Sequence, residues 1–227
     1  MLKLILFLIL LFLVVNANVK RSNFGSRSKF KNNGFANISA SYTKPEVKNN
    51  LVTPEEAEYI IKTAKDSFKE SETVGGFNTN VRKSKTKWLY KDDPVIYNII
   101  NRIASLTGND IKNAEPLQVV QYEPGGFYND HHDSCCDDQE ACTDFVQNGG
   151  QRVLTVLVYL NDSFTGGATR FSTLNKEIKP PQYSGIIFRP LADNTNMCHP
   201  LGLHKGTPVK TGIKYICNIW FREGEYR

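Results

Sequence analysis

The chain has 227 residues, 40% hydrophobic and 22% charged, an ordinary globular composition with enough length to bury one sizeable core. That excludes a disordered polymer, a fibre and a small disulfide scaffold. The formal charge of +5 would admit a nucleic-acid partner, but the first fifty residues hold eight Lys and Arg against the single Glu46, so residues 51–227 carry a net −2. No nucleic-acid partner is expected of them.

Residues 1–17 combine Lys3 with an apolar run over 4–15 and end in Asn16-Ala17. The run is shorter than the roughly 20 residues that cross a bilayer core. It reads as a secretory signal peptide cut after Ala17, or as a signal anchor attaching the chain to a membrane. Either reading places the remainder in the secretory pathway, in or facing the endoplasmic reticulum lumen or secreted, where disulfides persist. Cys135, Cys136, Cys142, Cys198 and Cys217 then allow one or two disulfides bracing a loop, with connectivity open and at least one thiol left over. Asn37-Ile38-Ser39 and Asn161-Asp162-Ser163 are N-glycosylation sequons. Residues 18–50, rich in Asn, Ser, Lys and Gly without periodicity, read as a basic flexible linker, and residues 51–227 as one domain.

Thr53-Pro54-Glu55-Glu56 predicts a helix start with a capping box. Ala57, Ile60, Ile61, Ala64 and Phe68 make its apolar face. Asp93-Pro94 announces a second helix, through Ile96, Ile99, Ile100 and Ile103 to Leu106, with Gly108 as its stop. From Leu117 the texture changes to short runs of β-branched and aromatic residues at 117–122, 153–160, 185–188 and 215–220. Helices first and non-alternating strands afterwards predict one α+β domain on a β-sandwich or jelly roll, with the N-terminal helices as support.

In Tyr128-Asn129-Asp130-His131-His132-Asp133, an extended backbone puts His131 and Asp133 on one face and His132 on the other. With a further histidine they make the 2-His-1-carboxylate set that holds non-haem Fe(II) with open positions. Downstream, His204 is followed ten residues later by Lys214, with Pro208 and Gly212 between. A hairpin there would set Lys214 on the strand adjacent to His204, aimed into the same cavity.

These residues, together with Arg82-x-Ser84, Glu115-Pro116-Leu117-Gln118, Tyr122-Glu123-Pro124-Gly125-Gly126, Gly150-Gln151-Arg152-Val153-Leu154-Thr155 and Gly166-Gly167-x-Thr169-x-Phe171, resemble the prolyl 4-hydroxylases. Those enzymes are 2-oxoglutarate- and Fe(II)-dependent dioxygenases, and the likeness is to their short plant, algal and viral forms. It covers about residues 81–221 and implies a double-stranded β-helix. It also implies Fe(II) on His131, Asp133 and His204, and 2-oxoglutarate held by Lys214 with help from Tyr122 and Thr155. Arg82, Tyr128 and Trp220 match positions near the peptide. O2 as cosubstrate, L-ascorbate as reductant and a proline-rich or collagen-like peptide as substrate are implied with them. A related dioxygenase acting on another side chain, or a non-catalytic jelly-roll binding protein, are the alternatives; His199 is expected in a loop, outside the ligand set.

Overall fold

The computed structural model describes residues 34–73, 76–136 and 140–227. The expected signal segment 1–17 and the linker as far as residue 33 lie outside them. The linker expectation is corrected from residue 34 onward. Residues 34–50 are part of the fold, and Glu46–Lys48 forms strand β1. The sequence Glu-Val-Lys carries little apolar signal because the strand sits on a sheet edge with all three residues exposed.

Helix α1, Pro54–Lys65, begins as predicted: Thr53 Oγ1 accepts from the Glu56 N–H (3.2 Å) and the Glu56 carboxylate accepts from the Thr53 N–H (2.9 Å). Strands β2, Lys69–Glu70, β3, Arg82–Lys83, and β4, Lys85–Leu89, follow. Helix α2, Pro94–Thr107, starts on the Asp93 carboxylate, which accepts from the N–H groups of Val95 and Ile96, and stops at Gly108 with φ 69°. Then come β5, Leu117–Tyr122, β6, Phe127–His131, and a third helix, α3, Glu140–Gln147, which the sequence pattern did not announce. The remaining strands are β7, Arg152–Tyr159; β8, Phe164–Gly166; β9, Thr169–Phe171; β10, Lys176–Ile178; β11, Gly185–Phe188; β12, His204–Gly206; β13, Val209–Gly212; and β14, Lys214–Arg222.

The strands form a seven-stranded sheet, β1-β11-β7-β14-β5-β4-β2, a five-stranded sheet, β10-β9-β12-β6-β3, and the pair β13-β8. All pairings between these strands are antiparallel. Alternation along the strands divides the core into two layers. On β7, Leu154, Val156 and Val158 pack with the α1 and α2 residues Ala57, Ile60, Ile96 and Ile100. Leu157 and Tyr159 point the other way and join Phe171 and Ile178 between the sheets. On β14, Cys217, Ile219 and Phe221 join the helix side, while Ile216 joins the inner layer. Lys214 and Trp220 share the parity of Ile216, so the inner face of β14 carries both.

One expected neighbourhood is corrected here. Lys214 is not on the strand beside His204: β12 belongs to the five-stranded sheet and β14 to the seven-stranded one, paired with β5 and β7. Residues 207–213 cross from one sheet to the other, so His204 and Lys214 reach the interior from opposite sheets.

Candidate active site

His131 ends β6 and His204 begins β12, directly paired across the ladder. Asp133 follows just past the strand end. The ligand atoms of His131, Asp133 and His204 lie within 4.8 Å of one another. Asp133 Oδ1 is 3.7 Å from His131 Nε2 and 3.8 Å from His204 Nε2. Each imidazole is oriented from behind: Nδ1 of His131 faces the Asn129 carbonyl (2.8 Å) and Nδ1 of His204 the Gly202 carbonyl (3.0 Å). With the proton on each Nδ1, both Nε2 lone pairs point into the cluster.

Asp133 is turned in the same way. Its Oδ2 accepts from the Thr155 hydroxyl (2.6 Å) and from the Trp220 indole N–H (3.1 Å), which leaves Oδ1 facing the imidazoles. Burial pushes this carboxyl up, but His204, His131, Arg152 and the Thr155 bond outweigh it and hold the carboxyl at about 2. Burial, then the neighbouring His204, push His131 well below its ordinary value, against the pull of Asp133. Asp133 is therefore held as a carboxylate and His131 as a neutral imidazole, and with the second imidazole of His204 they make the donor set expected around Fe(II).

Lys214 is buried on β14. Its Nζ donates to the Gly167 carbonyl (2.6 Å) and lies 4.5 Å from the Tyr159 ring centroid and 5.2 Å from that of Tyr122. No carboxylate among the described residues lies within salt-bridge reach of it. Burial, then Lys179, lower its pKa to about 7. A buried ammonium without a counter-ion is costly, and a carboxylate entering from the cavity would remove that cost.

The triad and Lys214 line one cavity of about 410 Å³, shared with Tyr122, Tyr128, Arg82 and Trp220. Tyr128 stacks on His131 with centroids 3.6 Å apart, and the Arg82 guanidinium lies over the Tyr128 ring at 4.7 Å, its Nε–H bonded to Ser84. Two of the expected residues hold the metal-facing carboxylate. The Thr155 hydroxyl donates to Asp133, and Trp220, lining the same cavity, donates its indole N–H to the same carboxylate. His132 turns away and packs edge-on against Phe35 (5.1 Å). His199 is fully buried, stacked on Tyr42, and caps a 3-10 turn.

The sequence reading missed the residues behind Asp133. Glu115 binds Arg152 through both carboxylate oxygens (2.6 and 2.8 Å) and Arg222 through one (2.7 Å). Gln151 both donates to and accepts from the Cys135 backbone, and the Ser134 hydroxyl donates to the Arg152 carbonyl. The available signal was position: Arg152 stands inside one of the matched blocks, and Arg222, its partner in the β7-β14 register, follows just after the matched span.

This constellation agrees with what the chain resembles. Residues 117–222 match the 2OG-Fe(II) oxygenase superfamily. A protein of Acanthamoeba polyphaga mimivirus named for prolyl 4-hydroxylase activity is 44% identical over 192 residues, 85% of this chain and 79% of that protein. Prolyl 4-hydroxylase 5 of Arabidopsis thaliana is 30% identical, with 92% and 79% covered. The viral collagen prolyl hydroxylase of Paramecium bursaria Chlorella virus-1, solved with 2-oxoglutarate, superposes with a TM-score of 0.62 at 29% identity, covering 79% of this chain and 96% of that one. With the His131, Asp133 and His204 cluster and the buried Lys214 inside the matched region, the chain belongs to the prolyl 4-hydroxylase family of 2-oxoglutarate- and Fe(II)-dependent oxygenases.

Proposed function

We propose that this chain hydroxylates C-4 of prolyl residues in proline-rich or collagen-like peptides, consuming 2-oxoglutarate and O2 and yielding succinate and CO2. The observation that carries the reading is one cavity in which an oriented His-Asp-His cluster faces the buried Lys214, which has no carboxylate partner among the described residues. His131 and His204 would hold Fe(II) through Nε2 and Asp133 through Oδ1. Bound iron with 2-oxoglutarate supplies the O2-dependent oxidising chemistry. The remaining work is done by the chain. Lys214 fixes the far carboxylate of 2-oxoglutarate as a point charge between Tyr159 and Tyr122, Thr155 and Trp220 hold Asp133 in place, and Tyr128 with Arg82 walls the peptide side and limits water. The two facing sheets read as a double-stranded β-helix, and L-ascorbate as the reductant that keeps iron ferrous.

The test mixes purified protein with Fe(II), 2-oxoglutarate, ascorbate and proline-rich peptides. Succinate formation with a one-oxygen mass gain on proline is expected; absence of both overturns the reading. A secretory location, with the N-terminal segment as signal or membrane anchor, is supported by the two disulfides Cys135–Cys142 and Cys136–Cys198. Within it Asn37 is the sequon to carry a glycan, because its side chain sits in an exposed turn. The Asn161 amide is spent on the Ile213 carbonyl, the Ser163 hydroxyl and the Tyr215 N–H. Material from a eukaryotic secretory host should lose a single glycan on Asn37→Gln; a glycan that persists in that variant refutes the assignment.

A further inference from the structure

Both ligand histidines turn Nδ1 to a backbone carbonyl, but the two carbonyls are held differently. The Asn129 carbonyl behind His131 belongs to β6 and is set by the strand, where the Asn129 N–H also donates to the Val81 carbonyl (2.9 Å). The Gly202 carbonyl behind His204 belongs to no strand. It ends a single 3-10 turn, Pro200–Gly202, that leads into β12. So short a turn has few hydrogen bonds of its own, and something outside it must fix where that carbonyl points.

His199 stands at the cap of that turn. Its Nδ1 accepts from the Leu201 N–H (3.1 Å), and its carbonyl accepts from the Gly202 N–H (2.8 Å). Its own N–H donates to the Pro190 carbonyl (3.0 Å). With Nδ1 accepting, the ring proton stands on Nε2, which donates to the Ala40 carbonyl (3.1 Å). One imidazole therefore spends both nitrogens on backbone, one on the turn and one on the segment 34–43. The ring is fully buried and stacks on Tyr42 with centroids 4.4 Å apart. That segment is tied to the same loop before and after Ala40. The Ala36 N–H donates to the Cys198 carbonyl (2.9 Å), and the hydroxyls of Ser41 and Thr43 donate to the Asp193 carboxylate (2.8 and 3.0 Å).

We infer that His199 is a positioning residue for the iron site: by capping the turn it sets the Gly202 carbonyl, and through that carbonyl the ring of His204, against the segment 34–43. The inference rests on the reading of the His-Asp-His cluster as an iron site and adds a layer behind one of its ligands. His199 acts here without touching the metal. Its Nδ1 bond governs the aim of His204, while its Nε2 bond and its ring fasten the segment 34–43 to the fold. The two halves of the imidazole thus have separable consequences, one for metal affinity and one for stability alone.

The test removes the two bonds one at a time in the full chain. His199→Asn keeps an acceptor near the place of Nδ1, and Asn is a strong cap, but it does not reach Ala40. His199→Gln carries its amide N–H toward Ala40 and leaves the Leu201 N–H uncapped. Anaerobic Fe(II) titration is run beside denaturant unfolding. Both variants should be less stable than wild type, since both lose the ring on Tyr42, yet only His199→Gln should lose Fe(II) affinity, by about tenfold. An unfolded fraction lowers the number of sites titrated and not the affinity of the remainder. Tyr42→Leu, which keeps both His199 bonds, should lose stability and keep its affinity. Affinities equal to wild type in both His199 variants, or equally reduced in both, overturn the positioning role, and so does an affinity loss in Tyr42→Leu. A wild type that takes up no Fe(II) overturns the iron reading itself.

Discussion

Asp133 has two carboxylate oxygens, and its neighbours divide their work. Oδ2 takes the Thr155 and Trp220 hydrogens, and Oδ1 is left for a metal. Thr155→Val keeps the shape and removes the hydroxyl, so Asp133 is free to rotate. Fe(II) affinity should fall about 10- to 100-fold, with Thr155→Ser restoring most of it; a Val variant that binds iron as wild type does would show that the bond is incidental. Lys214 carries the second prediction at this scale. Its pKa in the ligand-free protein is about 7, against 10.5 for an ordinary lysine. Between these values the unfolded chain binds a proton that the folded chain does not, so ligand-free stability rises with pH across that window. Binding of a dianion needs the ammonium, so KM for 2-oxoglutarate should rise above pH 7, by at most about tenfold per unit. Lys214→Met should raise KM at every pH and flatten that slope; a slope that survives the substitution would belong to another group.

The elements that place these groups differ in how legible they are. The capping box at Thr53, the Asp93 start and Gly108 stop of α2, and strands β5, β7, β11 and β14 are written in local chemistry, and all are present. The His131-x-Asp133 spacing suggested two members of the cluster, and the matched blocks around it carried the choice. Three things were not local. The α3 sequence, Glu-Ala-Cys-Thr-Asp-Phe-Val-Gln, is eight residues long, too short for a convincing helical period beside a cysteine pair. Strand β1 is polar and held by its ladder with β11. The place of Lys214 depended on which sheet β14 joined, and no hairpin rule reports a crossing between sheets. That crossing makes Gly212 a test of element placement. Its φ is 74°, and a Cβ there would run into the Ser163 carbonyl and the Phe164 backbone. Gly212→Ala should cost about 1–2 kcal/mol for the left-handed conformation alone and more for the overlap. Lys214, two residues on, should then hold 2-oxoglutarate less well. Denaturant unfolding with a KM measurement would reveal a neutral substitution if the turn were adaptable.

At the scale of the whole molecule, the two disulfides leave from adjacent residues just after Asp133 and do unequal work. Cys135–Cys142 closes a separation of 7 residues and fixes the segment leading into α3; Cys136–Cys198 closes 62 and ties the end of the β6 ligand segment to the approach to β12, where His204 stands. Cys198 is also sewn to the N-terminal segment, its N–H donating to the Gly34 carbonyl and its carbonyl accepting from the Ala36 N–H. If loop closure in the unfolded chain governs their value, the long link is worth about 4 kcal/mol and the short one about 2.5 kcal/mol. The pairwise serine variants should therefore separate in denaturant unfolding, with Cys136→Ser/Cys198→Ser the less stable. The same variant should also bind Fe(II) more weakly, because the link joins the backbones on which both ligand histidines are mounted. Equal losses from the two pairs would refute the entropic account. A long-link variant of reduced stability with unchanged iron affinity would show instead that the ladder between β6 and β12, where His131 faces His204, holds the cluster unaided. The fifth cysteine, Cys217, is buried on the helix side of β14 with its thiol pKa raised by that burial, so it should resist alkylation in the folded protein and not exchange with either pair.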